Sequence, residues 1–286
     1  MPRALVFGGS GQIGRPVLRA LVAAGWTATA VSRHVQPVLD GVEWQAGDFD
    51  TLPAVGDAFD AIISCGPLDR FARWLHDARV QAPRVVAFGS TSVEVKHASD
   101  DAHERDLAAR LAAGEAGVLA ASARMQAAAT LLRPTLVYGS GRDATLSRIA
   151  ALARRTGFAV LPRGACGLRM PVHVEDLARA AVDCLPTSAS HGRAYALPGG
   201  EALAYREMVH RVLQALQPPA RLVEVPAPLF ALALRAAQAT GRLHGLGPAV
   251  VARMREDLVF DASAASRDFG YSPRAFAPTA AMFDAL

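Results

Sequence analysis

Lysine is almost missing from this chain: of its 30 Lys and Arg residues, Lys96 alone is a lysine. The arginines are dispersed and only 6% of residues are aromatic, so the formal charge of +4 forms no basic stripe interleaved with rings, and nucleic-acid binding is not expected. Cysteine is scarce too. Cys65, Cys166 and Cys184 are odd in number, far apart and never in a C-x-x-C pair, which argues against a disulfide framework and against a zinc site. A reducing cytosol suits such a chain, so the expected location is cytoplasmic. Long apolar runs are lacking as well. The most apolar stretch, PAPLFALALRAAQATG, is interrupted by Arg235 and is too short to span a bilayer, so it reads as a buried helix. MPRALVFGG runs straight into a strand, with no room for a signal peptide. Neither a metal nor a membrane is expected as a partner.

What is present is small and apolar. Hydrophobic residues fill 51% of the 286 positions and charged residues 20%, enough for a sizeable core and too evenly spread for a disordered tail. Apolar runs at 4–7, 27–31, 61–64 and 85–88 alternate with helical patterns, and each run ends in Gly, Ser or Cys. This is the β-α-β rhythm of an α/β, Rossmann-type doubly wound parallel sheet, where ligands bind beyond the carboxyl ends of the strands. Residues 1–138, completed by roughly 171–200, are expected to form that domain. Residues 139–170 and 201–286 are expected to form a small C-terminal substrate lobe.

Four glycines, Gly8, Gly9, Gly11 and Gly14, stand directly behind the first run, in FGGSGQIG. Such a loop between a strand and a helix seats a pyrophosphate on the backbone N–H groups of the helix start, here those around Ser10, Gln12 and Ile13. After the second run a dinucleotide binder selecting NAD carries an acidic residue. This chain has Ser32, Arg33 and His34, with no carboxylate until Asp40. A guanidinium suits a 2′-phosphate, so NADP(H) is the expected cofactor and NAD(H) the alternative; the competing reading of Arg33 is a solvated strand-end arginine. Asp48 stands where a carboxylate would accept from an adenine amine, and capping its own loop is an equally good use for it. Cys65 and Gly66, closing the run at 61–64, complete the candidate cofactor wall.

With these pieces in place the chain resembles, nearly end to end, the extended and atypical short-chain dehydrogenase/reductases, the superfamily of NAD(P)-dependent sugar epimerases and dehydratases. GGSGQIG is similar to its nucleotide loop and GDFD to its adenine-side aspartate. GSTSVEV is similar to the segment bearing its catalytic Ser or Thr, which maps onto Ser90. LLRPTLVYGSGR, with Pro134, resembles the segment behind the nicotinamide, and PVHVEDLARA the return to the core. YALPGGEALAYREMVHRVLQAL and DASAASRDFGYSPR resemble its closing segments. The resemblance implies hydride transfer on a small polar or nucleotide-linked substrate, with Ser90 hydrogen-bonding the reacting oxygen.

One departure is large. The family's Tyr-x-x-x-Lys pair puts both side chains on one helix face for proton transfer. The tyrosines here are 138, 195, 205 and 271, so none lies between Ser90 and Tyr138. If Glu115 matches the glutamate that commonly follows that lysine by four, Leu107 and Leu111 occupy the dyad positions. His97, His103, His173 and Tyr138 are the candidate replacements, against solvated loop roles for the first two, a packing role for His173 and a cofactor-wall role for Tyr138. Lys96 reads as a surface lysine that would have to swing in to donate. Asp176 reads as a helix-start cap. The class of alternative that this loss leaves open is a catalytically silent NADP(H)-binding sensor or assembly subunit. The Ala-rich stretch 107–129 is a candidate homodimer face.

Overall fold

The computed structural model describes residues 1–52, 55–56, 58–232 and 252–284. In chain order the elements are β1 (Arg3–Phe7), α1 (Gly14–Ala23), β2 (Thr27–Ser32), β3 (Val42–Ala46), β4 (Ala61–Ser64), α2 (Leu68–Asp77), β5 (Arg84–Phe88), α3 (Ser92–Val95), α4 (Ala102–Arg124) and β6 (Ala128–Pro134). There follow β7 (Val137–Tyr138), α5 (Leu146–Thr156), β8 (Phe158–Pro162), β9 (Leu168–Arg169), β10 (Val172–His173), α6 (Val174–Asp183), β11 (Arg193–Leu197), β12 (Leu203–Ala204), α7 (Tyr205–Ala215) and β13 (Arg221–Val225).

Two compact units share the chain. The first takes Met1–Thr135, Val174–Pro198 and Asp261–Pro273. Its centre is a seven-stranded sheet in the order β11-β6-β5-β4-β1-β2-β3, every pair parallel. Strands this apolar must be covered on both faces, and β1, β4 and β5 are buried almost throughout. One face packs Leu5, Phe7, Ile62 and Val85 against Phe71 and Leu75 of α2 and Val118 of α4. The fold is therefore the doubly wound α/β sheet read from the sequence, and its order reverses between β1 and β4. The register brings Phe7, Val31, Ser64 and Ala87 level with one another, so four strands deliver their following residues to the same edge. That edge, at a topological switch point, is where such sheets hold ligands.

The second unit takes Leu136–His173, Gly199–Phe260 and Arg274–Leu286. Three two-stranded pairings, β7 with β10, β9 with β12 and β8 with β13, surround a core of Tyr138, Leu146, Met208, Val212, Leu213 and Phe276. Buried Asp143 starts α5 by accepting from the backbone N–H groups of Thr145 and Leu146, at 3.0 and 2.5 Å. The apolar stretch expected to be a buried helix is helical over 227–232, yet Leu229 and Leu232 are exposed there; its remainder, 233–241, lies outside the described residues.

At the opposite end of the first unit's sheet, Arg84 opens β5 with only 9% of its surface exposed and, among the described residues, no carboxylate bound to it. Its Nη2 donates to Cys184 O at 2.8 Å and to Ser190 Oγ at 2.9 Å. Thr130 Oγ1 joins the cluster by donating to Ser190 O at 3.0 Å. Replacing Arg84 by alanine should leave these buried acceptors unmatched and lower the stability by about 1–3 kcal/mol, read as a shift in urea midpoint at constant slope.

Tyr195 of β11 donates to Asp268 at 2.7 Å, and burial together with that carboxylate pushes its phenol up to about 12. Its folded value lies above the ordinary 10, so the contribution is complete below pH 10 and is lost as pH rises toward 12. Chemical denaturation across that window should show a shallower loss of stability for Tyr195→Phe than for the parent chain.

Candidate functional site

The turn from β1 into α1 is built on close approach. Gly8 has φ +70°, and a Cβ there would come within 2.9 Å of the Cys65 carbonyl carbon and Gly66 N. A Cβ on Gly14 would run into the Gly8 carbonyl oxygen. Gly11 N donates back to Gly8 O at 2.9 Å, closing the turn. The start of α1 carries no side-chain cap and no acidic residue in its first turn, so its partial positive charge is not neutralised from within. Gln12 Oε1 is buried there without a hydrogen-bond partner, as is Ser64 Oγ at the end of β4. A helix start with these properties fits the pyrophosphate end of a dinucleotide through its free N–H groups, and the Ser64 hydroxyl is a further donor, whereas the Gln12 oxygen can only accept. Gly9, Ser10 and Ile13 belong to the same turn.

The loop leaving β2 is held by its own side chains. Ser32 is buried and its Oγ donates to His34 O at 2.8 Å, so this serine shapes the loop. Gln36 Nε2 donates to Ser32 Oγ and to His34 O, each at 3.2 Å. Its Oε1 accepts from Arg15 Nη2 at 2.8 Å, which draws an arginine from the first turn of α1 to the loop that displays exposed Arg33. Arg15 and Gln36 did not stand out in the sequence. The available signal was an arginine directly after the last loop glycine, and only the fold shows which loop it meets.

Asp48 caps its own turn. Its Oδ1 accepts from the N–H groups of Asp50 and Thr51, both at 3.0 Å, and from Thr51 Oγ1 at 2.8 Å. The Thr51 hydroxyl, then the Asp50 amide, holds the carboxyl below its ordinary value. Cys65 is half-buried and continues the sheet ladder by donating its N–H to Phe7 O at 2.9 Å; burial pushes its thiol up, so it stays protonated. A Cβ on Gly66 would press on the Phe49 ring at 3.1 Å. Pro134 O accepts from both the N–H and the hydroxyl of Thr91, at 3.2 Å each, fastening the segment after β5 to the end of β6.

Ser90 lies in that fastened segment, half-buried, with its Oγ accepting from Ser92 N at 3.1 Å. Arg133 grips Glu115 with two hydrogen bonds, Nε to Oε1 at 2.8 Å and Nη2 to Oε2 at 2.5 Å, and Glu94 with a third at 2.8 Å. This pairing ties α4 to β6. Leu107 and Leu111, eight and four residues before Glu115, are half-buried on the same helical face. His97 and His103 are exposed. Lys96 is not the surface residue expected: only 22% of its side chain is exposed, and its Nζ lies 3.6 Å from Glu104.

The other two candidates lie in the second unit. Tyr138 and His173 meet there as paired strand neighbours, their rings edge to face with centroids 5.1 Å apart. They are 1% and 5% exposed, and Gly139, at φ +108°, leaves room for the His173 ring that a Cβ would occupy. Asp176 is buried in the first turn of α6 and accepts from Arg179. Among the described residues there is no group of three His, Cys, Asp or Glu side chains suited to a metal, and no helix is long and apolar enough to cross a membrane.

No family model matches the chain. It is 28% identical over 318 residues to 2-alkyl-3-oxoalkanoate reductase of Stenotrophomonas maltophilia, covering 94% of each chain. It is 24% identical over 264 residues to the uncharacterized protein YbjS of Escherichia coli, covering 85% of this chain and 77% of that one. Among solved structures, MoeE5 in complex with UDP-glucuronic acid and NAD superposes with a TM-score of 0.69 at 20% identity, over 96% of this chain and 94% of the other.

Gly14→Ala should cost about 1–3 kcal/mol of stability, because the added carbon meets backbone that cannot swing aside; thermal melting reads the loss. In fold, the chain is similar to solved epimerases and dehydratases, among them the epimerase Mth375 of Methanothermobacter thermautotrophicus with a TM-score of 0.69 at 15% identity, over 96% of this chain and 88% of the other, and its doubly wound α/β sheet is the one the sequence motifs led one to expect.

Proposed function

We propose that the chain is an NADP(H)-dependent oxidoreductase, or an epimerase- or dehydratase-like enzyme, acting by hydride transfer on a carbonyl or hydroxyl of a small polar or nucleotide-linked substrate. The observation that carries the cofactor choice is the rim beside α1. Arg33 is exposed at the end of β2, Arg15 is drawn to the same loop by Gln36, and no carboxylate intervenes before Asp40. Two guanidinium groups suit the dianionic 2′-phosphate of NADP and have no counterpart in NAD. The α1 start would seat the pyrophosphate, Asp48 the adenine side, and Cys65, Gly66 and Pro134 would wall the pocket. A bound nicotinamide supplies or accepts the hydride, and the protein's share is orientation and one proton. Ser90 holds the reacting oxygen.

The relatives support a reductase-like reading. One is named a reductase of 2-alkyl-3-oxoalkanoates, and the solved neighbour holds NAD and a nucleotide sugar. Leucine at 107 and 111 favours a second reading, an NADP(H)-binding sensor or assembly subunit without turnover. A cytoplasmic location and a homodimer joined through α4, which exposes Ala109, Ala112, Ala113, Ala116 and Ala120, belong to the same proposal.

Titration followed by nicotinamide fluorescence should show NADPH binding more tightly than NADH. Arg33→Ala should weaken NADPH by about 10- to 100-fold, the worth of one charged hydrogen-bond set, and leave NADH unchanged. Equal affinity of the parent chain for both cofactors overturns the NADP reading. Oxidation of NADPH by a panel of aldehydes, ketones and nucleotide sugars, reduced by Ser90→Ala, separates the enzyme from the silent module.

A further inference from the structure

A carboxamide donates from one end and accepts at the other without carrying charge. Gln36 is held by both ends. Its Nε2 donates to Ser32 Oγ and to His34 O, each at 3.2 Å, and its Oε1 accepts from Arg15 Nη2 at 2.8 Å. The serine fixes which end points where: its hydroxyl gives its own proton to His34 O at 2.8 Å, so toward Gln36 it can only accept. Trp44 of β3 donates its Nε1 to Pro37 O at 3.1 Å, so the residue after Gln36 is tied to the neighbouring strand. The loop is thus fastened on both sides of the glutamine. Arg15 is half-buried, meets a neutral amide there and, among the described residues, meets no carboxylate. A glutamate at position 36 would have the same length, yet it could donate nothing to His34 O and would pair with Arg15 as an ion. Its negative charge would stand in the loop after the second strand, where sheets of this kind receive the ribose of a dinucleotide.

We propose that Gln36 decides the choice between the two nicotinamide nucleotides: by holding Arg15 with a neutral amide, it aims that guanidinium at the phosphorylated ribose and leaves its charge uncompensated for the 2′-phosphate. This rests on the reading that the loop after β2 receives NADP(H). Gln36 acts through Arg15 and is therefore a positioning residue. Ser32 stands one step further back, since it orients the amide that does the holding.

The readout is the ratio of NADPH to NADH affinity, taken from fluorescence titrations of the full chain and independent of any turnover. Gln36→Met, of similar length but without polar ends, should lower that ratio about 3- to 10-fold, as expected when one hydrogen bond that aims a charged group is lost. Gln36→Glu should lower it about 30- to 100-fold, because the carboxylate cancels the Arg15 charge and repels the phosphate. Both variants should bind NADH and melt as the parent chain does. In an Arg15→Ala background, where there is no guanidinium to hold, Gln36→Met should leave the ratio unchanged. If Gln36→Met melts below the parent, Gln36→Glu, which keeps the tie to Arg15, decides alone. A parent chain that binds both nucleotides equally, or neither, overturns the NADP reading and this proposal with it. A parent that prefers NADPH, with the preference kept by the Gln36 variants, overturns this proposal alone. So does an effect of Gln36→Met that is equally large without Arg15, or a loss shared by NADH, since either marks a side chain that merely shapes the loop.

Discussion

The approach of Gly14 to the Gly8 carbonyl is the constraint on which the rest of the first unit depends. A helix can start this close behind a central strand only where neither position carries a Cβ that would collide with backbone. Given that approach, the N-terminus of α1 lies at the carboxyl edge of the sheet, level with the ends of β2, β4 and β5. The uncapped amides, the orphaned Gln12 oxygen and the side chain of Arg15 all come to that edge as consequences. One turn of glycine geometry thus places both the uncapped helix start and the Arg15 guanidinium at that edge.

A second constraint sets the register of the long helix. Arg133 holds Glu115 in a two-pronged pair that is half-buried, and the same guanidinium reaches Glu94. Such a pair fixes direction as well as distance, because the planar fork matches one carboxylate orientation. With α4 so fixed, the positions four and eight residues earlier have no freedom to bring another side chain forward, and leucine there is a chemical fact about the site. Glu104, on the same face, is fixed by the same register, and with it the half-buried place of Lys96.

Several residues singled out from the sequence turn out to work on the backbone around them. Ser32 and Asp48 each stabilise a turn through their own side chains, and the Cys65 thiol is kept neutral by burial. Asp48 commits Oδ1 to its own turn, the capping use, while Oδ2 has the Arg70 guanidinium at 3.8 Å. The buried Arg84 cluster at the other end of the sheet had no sequence signal at all, since its partners lie 46 to 106 residues away.

What the sequence determined by itself is what depends on neighbours along the chain: alternating apolar runs that become parallel strands, glycines spaced for a tight turn into a helix, an arginine directly after the second strand with no acid until Asp40. The absence of a tyrosine between Ser90 and Tyr138 is equally local, and no folding can supply one. Tertiary structure alone decided which side chains meet. Gln36 drawing Arg15 to the β2 loop, Arg133 locking Glu115, Tyr138 buried edge-on against His173, and Lys96 drawn in by Glu104 are contacts between elements that one-dimensional spacing leaves open. The physical reason is that periodicity fixes the face a residue occupies, whereas burial and pairing depend on what the packed sheet and helices bring opposite that face.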